Sequence, residues 1–242
     1  MKLEYVPLLK VQRDLYELPR GMERFREYIR TMSDAVSGDL KLPLVAMNPM
    51  GKDHLPPFLD HLLAIDADGV AARALAEADT ALAEEPGEYR ACLVVADDLK
   101  GGWTNRYAYE FAHRFEQRAY YRRAWLAGML WTSEHYDAVL LRGELLQCVY
   151  RVAHVQRHGP ARTLGEMLAQ ESYAMRSAGS TTAALDEDDV AYTRAVLREY
   201  MSATDRATLM AALFGDAAAR ELGYPPLGLS PGAGLALAAV GL

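Results

Sequence analysis

Residues 89–96 read YRACLVVA, and the conformation of this stretch decides the fold class. Its centre is a continuous apolar run formed by Cys92, Leu93, Val94 and Val95. A short apolar run bounded by turn residues is typical of a strand buried in a parallel sheet, although a buried helix segment has the same composition. We predict a strand here. If the stretch is helical instead, the alternative is an all-α bundle.

Two further apolar runs lie on either side of this stretch. Residues 42–47 come before it, and Trp125–Trp131, whose type is ambiguous from the sequence, comes after it. A helical pattern over 68–84 separates the first two runs, which is the order that a parallel strand pair requires. The sequence therefore predicts a helix-rich α/β fold, with a small parallel sheet built mainly from residues 40–135.

The remainder of the chain is helical in pattern. Apolar residues recur at steps of three and four over 135–157, as on the buried face of a helix. Thr163 and Glu166 have the spacing of a capping box at the start of the next helix. Near the N-terminus an amphipathic helix is predicted, with one apolar face made by Met22, Phe25, Ile29, Met32 and Val36. We expect residues 1–242 to form a single globular domain.

The overall composition is that of a globular protein and excludes several classes. Hydrophobic residues make up 51% and charged residues 24%, so the chain is too apolar to be disordered. The formal net charge of -7 argues against a general nucleic-acid binder. Two cysteines cannot supply a zinc site made of cysteine pairs. No long apolar stretch follows Met1, so we expect a cytoplasmic protein rather than a secreted or membrane-bound one.

The C-terminal segment, residues 225–242, has no charged side chain and is interrupted by prolines and glycines. Its continuous apolar part is shorter than the ~20 residues that cross a bilayer. We expect this apolar tail either to pack on the domain or to form a contact in a homo-oligomer, because an uncovered apolar patch attracts a partner.

Polar loops follow each of the three apolar runs, at residues 48–54, 97–106 and 132–135. If the runs are parallel strands, all three loops emerge at the same edge of the sheet, where open α/β sheets bind ligands. We therefore predict a polar pocket for a small molecule at this edge. The alternative is that the loops are solvated and that their polar residues serve only turns and helix caps.

Specific roles can be assigned within the predicted pocket. Asp97, Asp98 and His54 are the candidate catalytic residues, as general base, acid–base group or ligand. The candidate ligand-binding residues are Asn48, Lys52, Lys100, Trp103, Asn105 and Arg106.

Two kinds of ligand are considered for this pocket. A divalent metal is one, and its candidate ligands are Asp98, His54, Glu134 and His135. A small anionic molecule is the other, since Lys52 and Lys100 lie beside glycines near predicted helix N-termini. Neither loop contains a nucleotide-binding motif.

A stripe of charge follows the second loop, because Arg106, Glu110, Arg114, Arg118 and Arg122 recur every four residues. It predicts either a solvated helix face with internal ion pairs or a contact with an anion or a nucleic acid, although the net charge disfavours the nucleic acid. Two functions therefore stay open. One is a small-molecule enzyme or binding protein that uses the three loops. The other is a non-catalytic interaction or oligomerisation protein that uses the stripe and the apolar tail.

Overall fold

The structure is a computed structural model that describes residues 1–99, 104–116, 118–180 and 185–241. The chain divides into two compact units. Unit 1 consists of Met1–Arg106 and Gln117–Cys148, and unit 2 of Tyr107–Glu116 and Val149–Leu242. The expectation of one domain over the whole chain stays a prediction.

Unit 1 is built on a three-stranded parallel sheet in the order β1-β2-β3. The strands are β1 (Lys2–Tyr5), β2 (Glu88–Ala96) and β3 (Trp125–Trp131). The register pairs Tyr5 with Ala91 at the end of β1, and Ala96 with Trp131 at the ends of β2 and β3. The predicted helix-rich α/β fold is confirmed, and both YRACLVVA and the ambiguous third run are strands.

The prediction for the first strand is wrong. Residues 42–47 form buried turns, in which Leu44 donates its N–H to the carbonyl of Leu42 and Met47 donates to that of Leu44. Pro43 has no N–H to give to a sheet ladder, which explains why this apolar run enters the core without becoming a strand. The missing strand is β1, which lies outside the predicted range 40–135. It is a short edge strand with an alternating exposure pattern, and therefore has no apolar run.

Helices surround the sheet within unit 1. They are α1 (Leu9–Leu15), α2 (Met22–Met32), α3 (Leu55–Ala64), α4 (Ala67–Ala81) and α6 (Arg118–Arg122). The buried Gln12 on α1 donates its amide to the carbonyl of Val95 at 3.1 Å and accepts from the N–H of Val95 at 2.9 Å. This side chain thus extends the hydrogen bonding of β2 beyond the point where the short β1 ends.

Helix α2 is present as predicted, but its buried side is not the apolar face that the spacing indicates. Arg24 and Tyr28 are buried, whereas Met22 is 58% exposed and Ile29 is 39% exposed. Arg24 donates to the carbonyl of Leu18 at 2.8 Å, and Tyr28 donates to that of Leu44 at 3.0 Å. These hydrogen bonds satisfy the two buried polar side chains. Of the other residues of the predicted apolar face, Phe25 and Met32 are half-buried, and Val36 lies beyond the end of the helix.

The regular elements among the described residues of unit 2 are all helices. The unit contains most of α5 (Arg106–Phe115) and the second part of α7 (Ala138–His158). The other helices are α8 (Leu164–Ala178), α9 (Glu187–Leu197) with the 3-10 turn Arg198–Tyr200, α10 (Arg206–Phe214), α11 (Asp216–Glu221) and α12 (Ala233–Val240). The capping box predicted from Thr163 and Glu166 is confirmed at the start of α8.

The apolar tail becomes part of the core of unit 2. Its helix α12 buries Ala233, Ala236, Leu237 and Ala238. A Cβ at Gly234 would overlap the carbonyl oxygen of Ala212 on α10, so the glycine permits close backbone contact between the two helices. The tail therefore packs on the folded chain, the first of the two predicted alternatives, and most of its apolar surface is covered.

Candidate functional site

Asp97 follows β2 directly and is 2% exposed. Its carboxylate is surrounded by hydrogen-bond donors from three segments of unit 1. Oδ2 accepts from Asn48 Nδ2 at 2.9 Å. Oδ1 lies 2.8 Å from His54 Nε2, 3.1 Å from the N–H of Leu99 and 3.2 Å from the hydroxyl of Thr132. The predicted convergence of loops 48–54, 97–106 and 132–135 is thus centred on this carboxylate.

The orientation of Asn48 follows from its other contacts. Its Oδ1 accepts from the N–H of Met50 at 3.0 Å, so the amide nitrogen is the atom that faces Asp97. Its backbone carbonyl accepts from the Tyr16 hydroxyl at 2.6 Å. Burial, together with the charge of Asp97, raises the pKa of Tyr16, which keeps that hydroxyl protonated as a donor.

The loop that carries Asn48 and His54 is held closely against the helices of unit 1. Arg24 donates to the carbonyl of Gly51 at 3.3 Å. A Cβ at Gly51 would overlap the Leu55 side chain and would stand 3.2 Å from the Tyr16 hydroxyl. A side chain at position 51 would therefore require the Leu55 side chain to move and the Asn48 carbonyl, 3.1 Å away, to shift slightly.

His54 precedes α3, and its side chain is 13% exposed. Asp97 accepts hydrogen bonds at both of its oxygens, so His54 Nε2 is the donor in their contact and carries the hydrogen. The neutral ring then has a lone pair at Nδ1. This nitrogen is buried and has no hydrogen-bond partner among the described residues. A buried polar atom without a partner marks a place where a ligand, water or ion completes the structure.

Asp98 is the second carboxylate of the site, and its side chain is 9% exposed. Oδ1 accepts from the N–H of Ser133 at 3.0 Å and lies 3.1 Å from the Thr132 hydroxyl. Oδ2 accepts from the Ser133 hydroxyl at 2.6 Å and from Arg106 at 3.2 Å. Both oxygens are thus occupied by donors of the protein itself.

Arg106 connects the second and third loops. The same Nη1 atom lies 3.2 Å from Asp98, 2.9 Å from the Ser133 hydroxyl and 2.8 Å from Glu134. Its guanidinium carbon stands 5.5 Å from the ring centroid of Trp131, which is the distance of a cation–π contact. These contacts bring Asp98, Arg106 and Glu134 to one rim at the carboxyl ends of β2 and β3.

Sequence reasoning did not assign roles to Thr132 and Ser133, although both belong to the hydrogen-bonded network. The register explains their position. Ala96 and Trp131 are paired as the last residues of their strands, so the next residues, Asp97 and Thr132, emerge side by side. Knowledge of the register between the two strands would have indicated both residues, whereas the composition of the loops does not.

The metal hypothesis receives no geometric support. Among the described residues, no three His, Cys, Asp or Glu side chains are grouped so that they could hold a metal ion. His135 is exposed, and Asp98 already accepts several hydrogen bonds from the protein. Of the four predicted ligands, the structure brings His54, Asp98 and Glu134 into one network but not into a coordination sphere.

The anion hypothesis also loses its expected donors at the first loop. The N–H of Leu55 donates to the carbonyl of Lys52 at 3.1 Å, and Pro56 and Pro57 have no N–H. The first turn of α3 therefore lacks the free amides that bind anions at helix N-termini. Lys52 is exposed and Asn105 is half-buried. Lys100 and Trp103 lie outside the described residues.

The charge stripe is interrupted, because α5 ends at Phe115 and α6 begins at Arg118. Within unit 2, Arg114 donates to the fully buried Glu171 at 2.6 Å and to Glu110 at 3.3 Å. Arg151 donates to both oxygens of Glu171, at 2.7 and 2.9 Å. Burial raises the pKa of Glu171, but the two arginines outweigh it and lower the pKa to about 2. For Arg114, the predicted ion pair with Glu110 is present, but the predicted solvation of this face is wrong, because the side chain is 14% exposed and is paired with Glu171.

Comparisons with protein-family models, with curated proteins and with solved structures find no match for this chain. Within the described part of the chain, no helix has both the length and the apolar character that crossing a membrane requires.

Proposed function

We propose that unit 1 binds a small molecule at the carboxyl ends of β2 and β3, and that His54 exchanges a proton with it. The observation that carries the proposal is the buried Nδ1 of His54, which has no partner among the described residues, while Nε2 is held by Asp97. Imidazole is the side chain that gains and loses a proton nearest to neutral pH, which suits it to acid–base chemistry.

Asp97 acts on the ligand only through His54. As the acceptor for Nε2–H it selects the tautomer with a lone pair at Nδ1, and it stabilises the imidazolium that forms when Nδ1 takes up a proton. Asp98 is engaged with Ser133 and Arg106, so its role is to shape the rim of the site. These roles replace the hypothesis that Asp97 or Asp98 is a metal ligand or the general base.

The tautomer of His54 tests this proposal without knowledge of the ligand. The full chain is labelled with ¹⁵N-histidine, and the two ring nitrogens are observed by NMR at neutral pH. We expect the hydrogen on Nε2 and the lone pair on Nδ1. His54→Gln assigns the signals, and His135→Gln serves as the control because His135 is exposed. A hydrogen located on Nδ1 would refute the proposed acid–base role.

A second candidate function is interaction with another protein, including self-association. It is favoured by the apolar face of α2, where Met22 and Ile29 remain exposed. Sedimentation equilibrium of the wild type is compared with Met22→Glu/Ile29→Glu, and Val139→Glu, at a site that is 59% exposed, is the control. We expect only the α2 variant to lose association. If the wild type stays monomeric at high concentration, the hypothesis of self-association is refuted.

We also propose that the protein is cytoplasmic. Cys92 and Cys148 are both buried free thiols, as expected in a reducing compartment.

A further inference from the structure

The charges around His54 restrict which ligands the proposed site can take. Among the described residues of this network, three carboxylates, Asp97, Asp98 and Glu134, face the guanidinium of Arg106, which leaves a net charge of -2 with the imidazole neutral. Such a site repels anions and attracts cations, most strongly where burial excludes water.

Several donors among the described residues of the site are directed at its own carboxylates. Asn48 Nδ2 and the N–H of Leu99 donate to Asp97, and the N–H and hydroxyl of Ser133 donate to Asp98. The start of α3 adds no free amide because of Pro56 and Pro57. The lone pair at His54 Nδ1 is a buried acceptor without a partner among the described residues, and a ligand that reaches it must donate a hydrogen. A carboxylate oxygen would face this lone pair without a hydrogen between them, and a phosphate would add negative charge beside Asp97.

We infer that the ligand of this site is a neutral or cationic compound that presents an O–H or N–H to His54 Nδ1, namely an alcohol or an ammonium compound. The inference rests on the proposed function and replaces the small anionic molecule of the sequence-based hypothesis. In the proton-transfer step, the O–H or N⁺–H bond of the ligand breaks and Nδ1–H forms. The electron pair stays on the ligand oxygen or nitrogen, and the new imidazolium is balanced by Asp97.

The experiment uses the full ¹⁵N-histidine-labelled chain and four probes at constant ionic strength: propylamine hydrochloride, 1,2-propanediol, inorganic phosphate and acetate. We expect the amine, the diol or both to shift the His54 Nδ1 signal saturably. We expect the two anions to leave it unchanged. The amine and diol measurements distinguish an ammonium ligand from a hydroxyl ligand.

Glu134→Gln tests the contribution of charge, since Glu134 is on the rim and 49% exposed. We expect roughly 2- to 5-fold weaker binding of propylamine and unchanged binding of the diol, as for a solvent-screened ion pair. Asp53→Asn is the control for an exposed carboxylate on the same loop.

Saturable binding of phosphate or acetate at His54 overturns the inference, and so does a signal that none of the four probes shifts. In both cases the tautomer with a lone pair at Nδ1 would leave the proposed acid–base role in place. A hydrogen found on Nδ1 of the free protein would instead remove the proposed function itself.

Discussion

Asp97 and His54 lie 43 residues apart in sequence, yet Asp97 Oδ1 and His54 Nε2 are 2.8 Å apart in the structure. One residue follows a central strand, and the other stands at the head of a helix that precedes that strand. The contact engages Nε2 and leaves Nδ1 as the ring nitrogen that can exchange a proton. The proposed chemistry of the candidate site therefore depends on it.

Replacement of Asp97 tests this contact. In Asp97→Asn an NH₂ group replaces one carboxylate oxygen. In place of Oδ2 it faces the donor Asn48 Nδ2. In place of Oδ1 it faces two donors, His54 Nε2 and the N–H of Leu99. We expect a loss of about 1–3 kcal/mol in the free energy of unfolding, measured with urea, because a buried donor loses its partner. Asp53→Asn on the exposed part of the loop is the matched control. Equal stability of the two variants would contradict the prediction.

Thr132 is expected to matter for both carboxylates. Its hydroxyl lies 3.2 Å from Asp97 and 3.1 Å from Asp98, and it also accepts from the N–H of Asp98 at 3.3 Å. Thr132→Val keeps the shape but removes a donor to the two carboxylates and leaves the Asp98 N–H without its acceptor. We expect a cost of about 1–3 kcal/mol in chemical denaturation. Thr132→Ser retains the hydroxyl and should recover most of the loss. If serine is no better than valine, packing of the methyl group explains the effect.

Glu171 predicts how the stability of unit 2 depends on pH. Its pKa is about 2 in the folded chain, against an ordinary value of 4.5. Because the folded pKa is depressed, the stabilisation is complete above pH 4.5 and is lost as the pH falls toward 2. We therefore expect the protection factors of the α8 amides against hydrogen exchange to fall in this range in the wild type, and the dependence to be weaker in Glu171→Gln.

The same substitution should be costly at neutral pH. Glu171→Gln leaves Arg114 and Arg151 without their buried counter-charge, and we expect a loss of about 3–5 kcal/mol. The control is Glu116→Gln, whose partner Arg206 is 41% exposed, and which should cost about 1 kcal/mol or less. Circular dichroism during denaturation measures both. If the two substitutions lower the free energy of unfolding by similar amounts, burial does not strengthen the ion pairs of Glu171.

Gly234 tests whether the apolar tail belongs to the core. A Cβ at this position would overlap the Ala212 carbonyl, and backbone cannot move as a flexible side chain does. We expect Gly234→Ala to destabilise unit 2 by about 1–3 kcal/mol in thermal denaturation.

Gly165→Ala on α8 is the control for this variant. Its Cβ would meet the end of the Met201 side chain at 3.2 Å and the Met201 carbonyl at 3.3 Å, contacts that a small adjustment relieves. We expect a cost below about 1 kcal/mol. If Gly234→Ala destabilises the protein less than Gly165→Ala does, the apolar tail is not packed in the core.

The two cysteines should be inert in the folded protein. Burial raises the pKa of Cys92 well above its usual range, and its thiol lies in the interior of the central strand. Because the thiolate is the reactive form, we expect slow reaction of Cys92 with a disulfide reagent at pH 8 and rapid reaction in urea. Cys148→Ser isolates the Cys92 signal. Reaction at the rate of a free thiol in the native state would show that β2 opens readily.

The sequence by itself was sufficient to predict the central strand, the capping box of α8 and the presence of helix α2, but not which side of α2 is buried. These features depend on interactions between near neighbours, which leave periodic or spaced signals in the chain. The same reasoning placed a strand at 42–47, because apolar composition reports burial and not hydrogen bonding. It missed β1, because a short edge strand alternates and contains no apolar run.

Tertiary structure alone decided which polar residues meet. The register of β2 and β3 places Thr132 beside Asp97, and the tight loop at Gly51 brings His54 to the same carboxylate. Likewise, Glu171 and Arg114 are paired from different helices, so the stripe on α5 contributes to the interior of unit 2. Such contacts join residues that are distant in sequence. They follow from strand register and helix packing. Both depend on the whole core, so they leave no pattern in the local amino-acid sequence.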